Sequence, residues 1–477
     1  MNGKMHIPHG GKMLMAAVSL TILSGCASVN FEQSVASTNQ VAADFTQGKL
    51  VLVQSKDQRD SLDRAATKIL QKPISQSDAV RLALINSPAL QAMLAKNWAD
   101  TASAAQTGRI ANPVFSFERL RFADELELGR LLSFGLLDLL TLPQRYGVAQ
   151  RQIAQSQLRL TSNAIDQVTQ VRQAWVKAVA AQQSLFYAKQ VNDAAQASAE
   201  LARRLQAAGN FSKLQRARQQ AFYADAATQW ATAHHAALAT REELVRLLGM
   251  TDTQAQTLTL PDRLPDMPKE PHSPDEVGRL ASTERLDIKL AQAEYESSAQ
   301  AQGLNVLTSF TDIELGVRRD TVFDNAAGTK TPRRGYEISV RLPIFDWGGV
   351  RRDAMNARTL AAANRLEATI RAAGSTLRES YSAYRTAFDI SRHYRDEVVP
   401  LHKSISEENV LRYNGMLIGV FELLADARNQ VNSVMAAIAA EQQFWLADAA
   451  LQASLMGKPT MTTMGAMAVG GAGDAAH

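Results

Sequence analysis

One cysteine, Cys26, is all that the 477 residues contain. That excludes an internal disulfide framework and any cysteine-rich zinc or iron–sulfur site. Charge of one sign is scarce too. Fifty-one basic and 47 acidic side chains leave +4, which gives no electrostatic case for nucleic acid. With 46% hydrophobic and 21% charged residues, neither wholesale disorder nor a polytopic helical membrane protein fits. Phosphate-binding glycine loops, the Walker lysine, Gly-x-Ser-x-Gly and His-Glu-x-x-His are all missing. His234 and His235 are adjacent, so on a helix they point to different sides and cannot chelate together. No carboxylate pair is set in an apolar pocket suited to acid–base work. No catalytic residue, metal ligand or cofactor is therefore assigned, and the chain is expected not to be an enzyme. Proline is absent between Pro143 and Pro261, where glycine occurs only at Gly147, Gly209 and Gly249. That stretch is free to be helical, with breaks at Gly209-Asn210 and Gly249. Trp175, Trp230 and Trp445 sit among helical Ala and Leu and are expected to pack between helices.

Residues 1–25 carry Lys4 and Lys12 but no acid, and an apolar run from Met13 to Leu23 leads to Leu23-Ser24-Gly25-Cys26. The run is too short for a bilayer, which takes ~20 helical residues, and suits a signal peptide. Its end resembles a bacterial lipobox, which implies cleavage before Cys26 and acylation of Cys26. Ala27 rather than Asp at the next position implies sorting to the outer membrane. The alternative is an ordinary secretory signal with an incidental cysteine.

Pro261, Pro265, Pro268, Pro271 and Pro274 mark an extended linker, and the sequences on its two sides match. Arg81-Leu82-Ala83 recurs as Arg279-Leu280-Ala281. Gly209-x-Phe211-x-x-Leu214-x-x-Ala217-Arg218-x-Gln220 recurs as Gly419-x-Phe421-x-x-Leu424-x-x-Ala427-Arg428-x-Gln430, and Leu247-Leu248-Gly249 as Leu455-Met456-Gly457. The spacing is too long for a solenoid and implies a duplicated unit of helix, strand, strand, long helix, helix. The division expected is a signal peptide (1–25), a lipidated extended segment (26–73), a first unit (74–250), a Pro-rich linker (251–274), a second unit (275–457) and a flexible tail (458–477).

In the first unit, Ser75 offers an N-cap to a helix reaching Ala111. Strands follow over Val114–Phe122 and Leu128–Leu140, then helices over Pro143–Gln206 and Ser212–Gly249. In the second unit, Ile313, Leu315 and Val317 alternate with polar residues, as do Tyr336, Ile338, Val340, Leu342 and Ile344. A polar loop is expected from Thr321 to Gly335. Strands of about 9 to 11 residues are long enough to cross a bilayer when tilted. Four cannot do so alone, because open edges in hydrocarbon leave backbone groups unpaired, and the smallest transmembrane barrels use about eight. Strands that meet lipid must therefore be shared among copies. The long helix would span roughly 96 Å, and the two shorter ones laid end to end roughly match it.

The chain resembles the TolC-like outer-membrane efflux channels, in their lipoprotein-bearing branch. The resemblance rests on Ala79-Val80-x-Leu82-Ala83-x-x-x-Asn86-x-Pro88-x-Leu90, Ala105-x-x-Gly108-x-x-x-Asn112-Pro113, Leu342-Pro343-Ile344-Phe345-Asp346-Trp347-Gly348-Gly349 and Arg412-Tyr413-Asn414-Gly415…Glu422-Leu423-Leu424-x-Asp426-Ala427-Arg428. It implies a mainly α fold with a membrane β-barrel contribution: a homotrimer sharing one twelve-stranded barrel, continued by a periplasmic α-helical barrel. It also implies a passive exit duct in the outer membrane, docked to a periplasmic adaptor (membrane fusion protein) and an inner-membrane pump for efflux or type I secretion. By position, the turns at Gly209 and Asn210 and at Gly415 to Gly419 are the tips that adaptors contact. Glu422 and Asp426 correspond to acids that narrow the tunnel, although their spacing of four departs by one from the commoner Glu-x-x-Asp. Pro400 either kinks the helix before the second tip or marks its reversal. The flanking Asp396-Glu397 and His402-Lys403 are no turn residues and favour the kink. The alternative function is a periplasmic helical adaptor or scaffold lipoprotein.

Overall fold

The computed structural model describes residues 31–282, 285–308, 312–342 and 344–460. The signal peptide and Cys26 lie outside them, as does the tail beyond Thr460. In chain order the elements are α1 (Phe31–Val41), α2 (Ala43–Thr46), α3 (Lys56–Ile69), α4 (Gln76–Asn86), α5 (Pro88–Thr107), β1 (Val114–Phe122), β2 (Glu125–Gly135), α6 (Leu136–Leu140), α7 (Leu142–Ala207) and α8 (Lys213–Leu248). They continue with α9 (Asp252–Thr257), α10 (Pro274–Ser282), α11 (Leu286–Thr308), β3 (Ile313–Asp324), β4 (Thr329–Val340), α12 (Gly349–His393), a π-turn (Tyr394–Val398), α13 (Val399–Asn414) and α14 (Val420–Leu455). Two compact units result. One comprises 31–34, 95–160 and 288–370; the other comprises 35–94, 161–287 and 371–460.

The first unit holds a four-stranded antiparallel sheet in the order β1-β2-β3-β4. The inner pair, β2 and β3, joins strands from the two sequence repeats, with Leu132 opposite Val317. Helical segments in the same unit are tied by Arg151 to Glu296 and by the Asn97 amide, which donates to the Ser156 carbonyl at 2.8 Å.

Four expectations need correction. Residues 31–69, expected to be extended, are largely helical: Ser55 and Gln58 form a capping box that starts α3, while Phe31, Val35 and Phe45 are buried. The first helix breaks at Ser87, whose ψ of 116° is the extended conformation favoured before a proline. β2 begins earlier and ends at Gly135, because the Leu-rich run after it does not alternate and coils into α6 instead. The loop expected from Thr321 to Gly335 is mostly strand. Its polar residues alternate between faces, and the turn shrinks to residues 325–328, where Asp324 Oδ1 accepts the Ala326 and Ala327 N–H groups at 2.9 Å each. Pro332 is tolerated because β4 is the outermost strand of the chain's own sheet, where a missing N–H deprives no neighbour within the chain.

The second unit is helical. Ser75 caps α4 through a capping box with Asp78, and the part of α7 from Thr161 to Ala207 belongs to this unit. Tyr384, Phe388 and Phe444 are fully buried with Val277, Ala447 and Leu451. Trp175 is buried, with its indole N–H on the Ile74 carbonyl at 2.9 Å. Trp230 is exposed instead.

Two glycines register the repeat in three dimensions. Gly249 (φ +65°) packs so closely on Ser87 and Pro88 that a Cβ would stand 2.5 Å from the Pro88 ring. Gly457 (φ +82°) packs in the same way on Leu286 and Asp287, where a Cβ would stand 2.7 Å from the Asp287 carboxylate. A left-handed residue without a side chain is required at both helix ends.

Candidate functional site: a two-faced sheet and paired helical turns

The sheet register sorts its side chains onto two chemically different faces. One face carries Glu118, Glu125, Glu127, Glu314, Asp320, Asp324 and Glu337 among Gly, Ser, Thr and the apolar Val114, Leu120, Phe122, Leu131 and Val322, with Arg318 and Arg333 as its cations. Arg318 ties this face together, meeting Asp320 at 2.8 Å, Glu118 at 3.1 Å and Glu337 at 3.8 Å. The other face carries no acid. Near the strand bases it presents Phe115, Leu132, Val317, Tyr336, Ile338 and Val340, all exposed. A sheet of a water-soluble core would bury such a face. Both outer strands, β1 and β4, have an edge that no described strand of the chain pairs with.

At the far end of α7, the chain reverses where the sequence places the first tip. Gly209 adopts φ +80°, and the Asn210 N–H reaches back to the Leu205 carbonyl at 2.9 Å, as in a Schellman motif. Ser212 then caps α8 through a capping box with Gln215. The second reversal follows Asn414, so Pro400 kinks the helix and does not turn it. The π-turn just before it takes up the missing proline N–H. Gly415 keeps φ −79°, and the left-handed position falls to Met416 at φ +56°. Gly419 is the extended N-cap of α14.

The two reversals meet through Phe211 and Phe421, whose rings stack at 4.6 Å. The repeat pattern contains both residues but gives neither a role; their equivalence in it is the signal that could have revealed the contact. Glu422 lies exposed in the first turn of α14. One turn later Asp426 is half-buried, and its Oδ2 finds no hydrogen-bond partner among the described residues. Both acids share one helix face near the stacked rings.

Two further acids, which no sequence motif marks, lie deeper in this helical unit. Burial, reinforced by Asp266, lifts the Glu441 carboxyl to about 7, against the opposing pull of Arg263 and Arg395. These side chains line a cavity of about 330 Å³ beside Val399. Burial also lifts Asp448 to about 6, against His272 and Arg172. Arg172 is itself buried. It donates to Gln452 at 2.8 Å and to the Phe45 carbonyl at 2.5 Å, and it lies over the Phe45 ring at 4.5 Å. Among the described residues no group of three or more metal-ligating side chains occurs, and no helix is long and apolar enough to cross a membrane.

No family model matches the chain, and no curated protein matches it in sequence. Solved structures do match. The chain has the fold of the TolC-like outer-membrane efflux channels. It is similar to the outer membrane channel CmeC of Campylobacter jejuni (TM-score 0.64, 15% identity, 84% of this chain and 87% of that one). It is also similar to the outer membrane protein VceC of Vibrio cholerae (TM-score 0.63, 15% identity, 83% and 97%). A third likeness is to the outer membrane channel MtrE of Neisseria gonorrhoeae, captured in its open state (TM-score 0.61, 17% identity, 83% and 91%).

Proposed function

We propose that the chain is the outer-membrane exit channel of a tripartite efflux or type I secretion system, anchored through an acylated Cys26. Three copies close one twelve-stranded barrel, and their helices continue into the periplasm. The observation that carries this reading is the sheet: one acid-free face that is apolar and exposed towards the strand bases, one acid-rich face, and two open edges. Backbone groups at those edges have no place in hydrocarbon unless another copy pairs with them. In an antiparallel sheet of four strands the outer two run in opposite directions, so β4 of one copy meets β1 of the next with the same polarity as the pairs inside the chain. The acid-rich face then lines the pore and the apolar face meets lipid.

The tips follow from the same arrangement. Gly209, Asn210, Gly415 and Gly419 bound the turns offered to a periplasmic adaptor, and Glu422 and Asp426 form the constriction just inside. Energy comes from an inner-membrane pump, as the likeness to efflux channels supports. The alternative of an adaptor or scaffold lipoprotein has no use for an exposed apolar sheet face.

Imaging and conductance of the detergent-extracted protein test this reading. A three-fold particle that inserts into planar bilayers and conducts is expected. A water-soluble monomer without conductance would overturn it.

A further inference from the structure

The acid-free face of the sheet is divided along its length. Counting from the hairpin turns, its first row is Arg121, Leu126, Phe323 and Lys330; its second is Arg119, Leu128, Thr321 and Pro332. The third row is Phe117, Arg130, Arg319 and Arg334, with Arg319 directly paired to Arg334 and Arg130 to Phe117. Arg130 falls beside Arg319 because the pairs on either side of it are Leu128–Thr321 and Leu131–Arg318. Below these rows every residue of this face is apolar: Phe115, Leu132, Val317 and Tyr336, then Phe134, Leu315 and Ile338, then Ile313 and Val340.

Six cations thus stand on the turn-proximal half of one face, and none forms an ion pair with a described residue. Their interactions are a bond from Arg130 to the Thr321 hydroxyl at 3.3 Å and the seat of Lys330 over the Phe323 ring at 5.4 Å. Adjacent strands lie about 4.8 Å apart, and like charges directly opposite each other destabilise a sheet. Three arginines abreast on β2, β3 and β4 therefore call for an anion from outside the chain. The opposite face shows the contrast, since there Arg318 is surrounded by three carboxylates.

We infer that this arginine-rich collar, with the apolar rows below it, is a docking surface for phosphate-bearing glycolipid of the outer leaflet. Guanidinium groups take phosphate bidentately, and the apolar rows beneath select an amphiphile over a free anion. Leu126, Leu128 and Phe323 interleaved with the cations suit the boundary between headgroup and acyl chain. The strand bases lead into α6, α7 and α12, so the turns are the end remote from the helices and face the outer leaflet. The inference rests on the barrel reading proposed above.

The test uses the full-length protein, delipidated in detergent and examined by native mass spectrometry with purified bis-phosphorylated lipid A, its dephosphorylated form, or inorganic phosphate. Conductance is recorded from the same preparations. Lipid A adducts are expected on the wild type and not with the dephosphorylated form. The triple variant Arg130→Gln, Arg319→Gln, Arg334→Gln loses about two orders of magnitude in lipid A affinity, whereas the corresponding triple Lys variant keeps most of it. Equal binding of the two lipid forms, undiminished binding in the Gln variant, or displacement of lipid A by an equal concentration of phosphate would each overturn the inference. The comparison of lipid forms on the wild type decides the matter even if the Gln variant does not fold. A wild type that conducts but holds no lipid A overturns the collar alone. One that makes no channel overturns the barrel reading and the collar together.

Discussion

Phe211 and Phe421 occupy the same position in the two repeats and stack on each other at 4.6 Å, so a symmetric contact joins the two helical reversals. An aromatic pair of this kind contributes about 0.5–1.5 kcal/mol beyond area burial. Phe211→Ala and Phe421→Ala are each expected to loosen the turns and raise conductance in planar bilayers. The double variant should add little to the larger single effect, because the second truncation removes a partner already lost. Fully additive effects would show that the rings act separately.

The glycines that close each repeat should differ from the one at the tip. A Cβ at Gly209 would meet nothing within 4 Å, so Gly209→Ala adds only left-handed strain, about 1–2 kcal/mol. Gly249→Ala adds the same strain plus a collision with Pro88 and Ser87, worth about 1–3 kcal/mol more. Thermal melting should therefore rank Gly249→Ala below Gly209→Ala, with Gly457→Ala beside Gly249→Ala.

Glu441 should make the helical unit less stable as pH rises. Its carboxyl titrates at about 7 when folded, against an ordinary 4.5, so between those values the unfolded chain gives up a proton that the folded one keeps. Stability from this group is complete below about pH 4.5, falls through the interval and levels off above 7. With allowance for partial exposure, the loss is on the order of 1 kcal/mol. Glu441→Gln should flatten that slope and melt higher than the wild type at pH 8, with little difference at pH 5.

Arg172 and Asp448 should be coupled. Arg172→Met strips the Phe45 carbonyl and Gln452 of their donor, a loss of about 1–3 kcal/mol, and takes from Asp448 one of the two cations that oppose its burial, leaving His272. Asp448→Asn in the same chain is expected to recover part of the loss. A denaturation cycle over the two single variants and the double measures the coupling, and strict additivity would contradict it.

In the barrel proposed above the acid-rich sheet face lines the pore, so cations are expected to be preferred. In a salt gradient the reversal potential should have the sign for cation permeation, and Glu127→Gln with Glu314→Gln should reduce it. Arg318 already neutralises part of Glu118 and Asp320, so substitutions at those two positions should move selectivity less.

How much of the molecule can be read from its sequence depends on whether a residue's meaning is local. β1 is legible from end to end because Asn112-Pro113 marks the extended chain from which the strand begins at once. The capped starts at Ser75 and Ser212 are legible for the same reason, since a capping box is four residues of sequence. β4 is not, because Thr329 to Gly335 are polar and include Pro332, and only pairing with β3 reveals them as strand. The arginine row is hidden for that reason: Arg130, Arg319 and Arg334 come from three strands of two repeats. A glycine after a helix end suits a left-handed turn, yet at the second tip Gly415 stays at φ −79° and Met416 takes the left-handed position. Glu441 and Asp448 read as ordinary helical acids until the segment around Asp266 and the side chain of Arg172 close over them.

The open outer edge of β4 also has a consequence for how a channel of the proposed kind is made. A strand whose outer hydrogen bonds wait for a second chain leaves each newly made copy unfinished, and any other strand it meets first is a rival. Membrane entry and joining of copies would then be a single event, and a cell that slowed one would see its chains fail at the other.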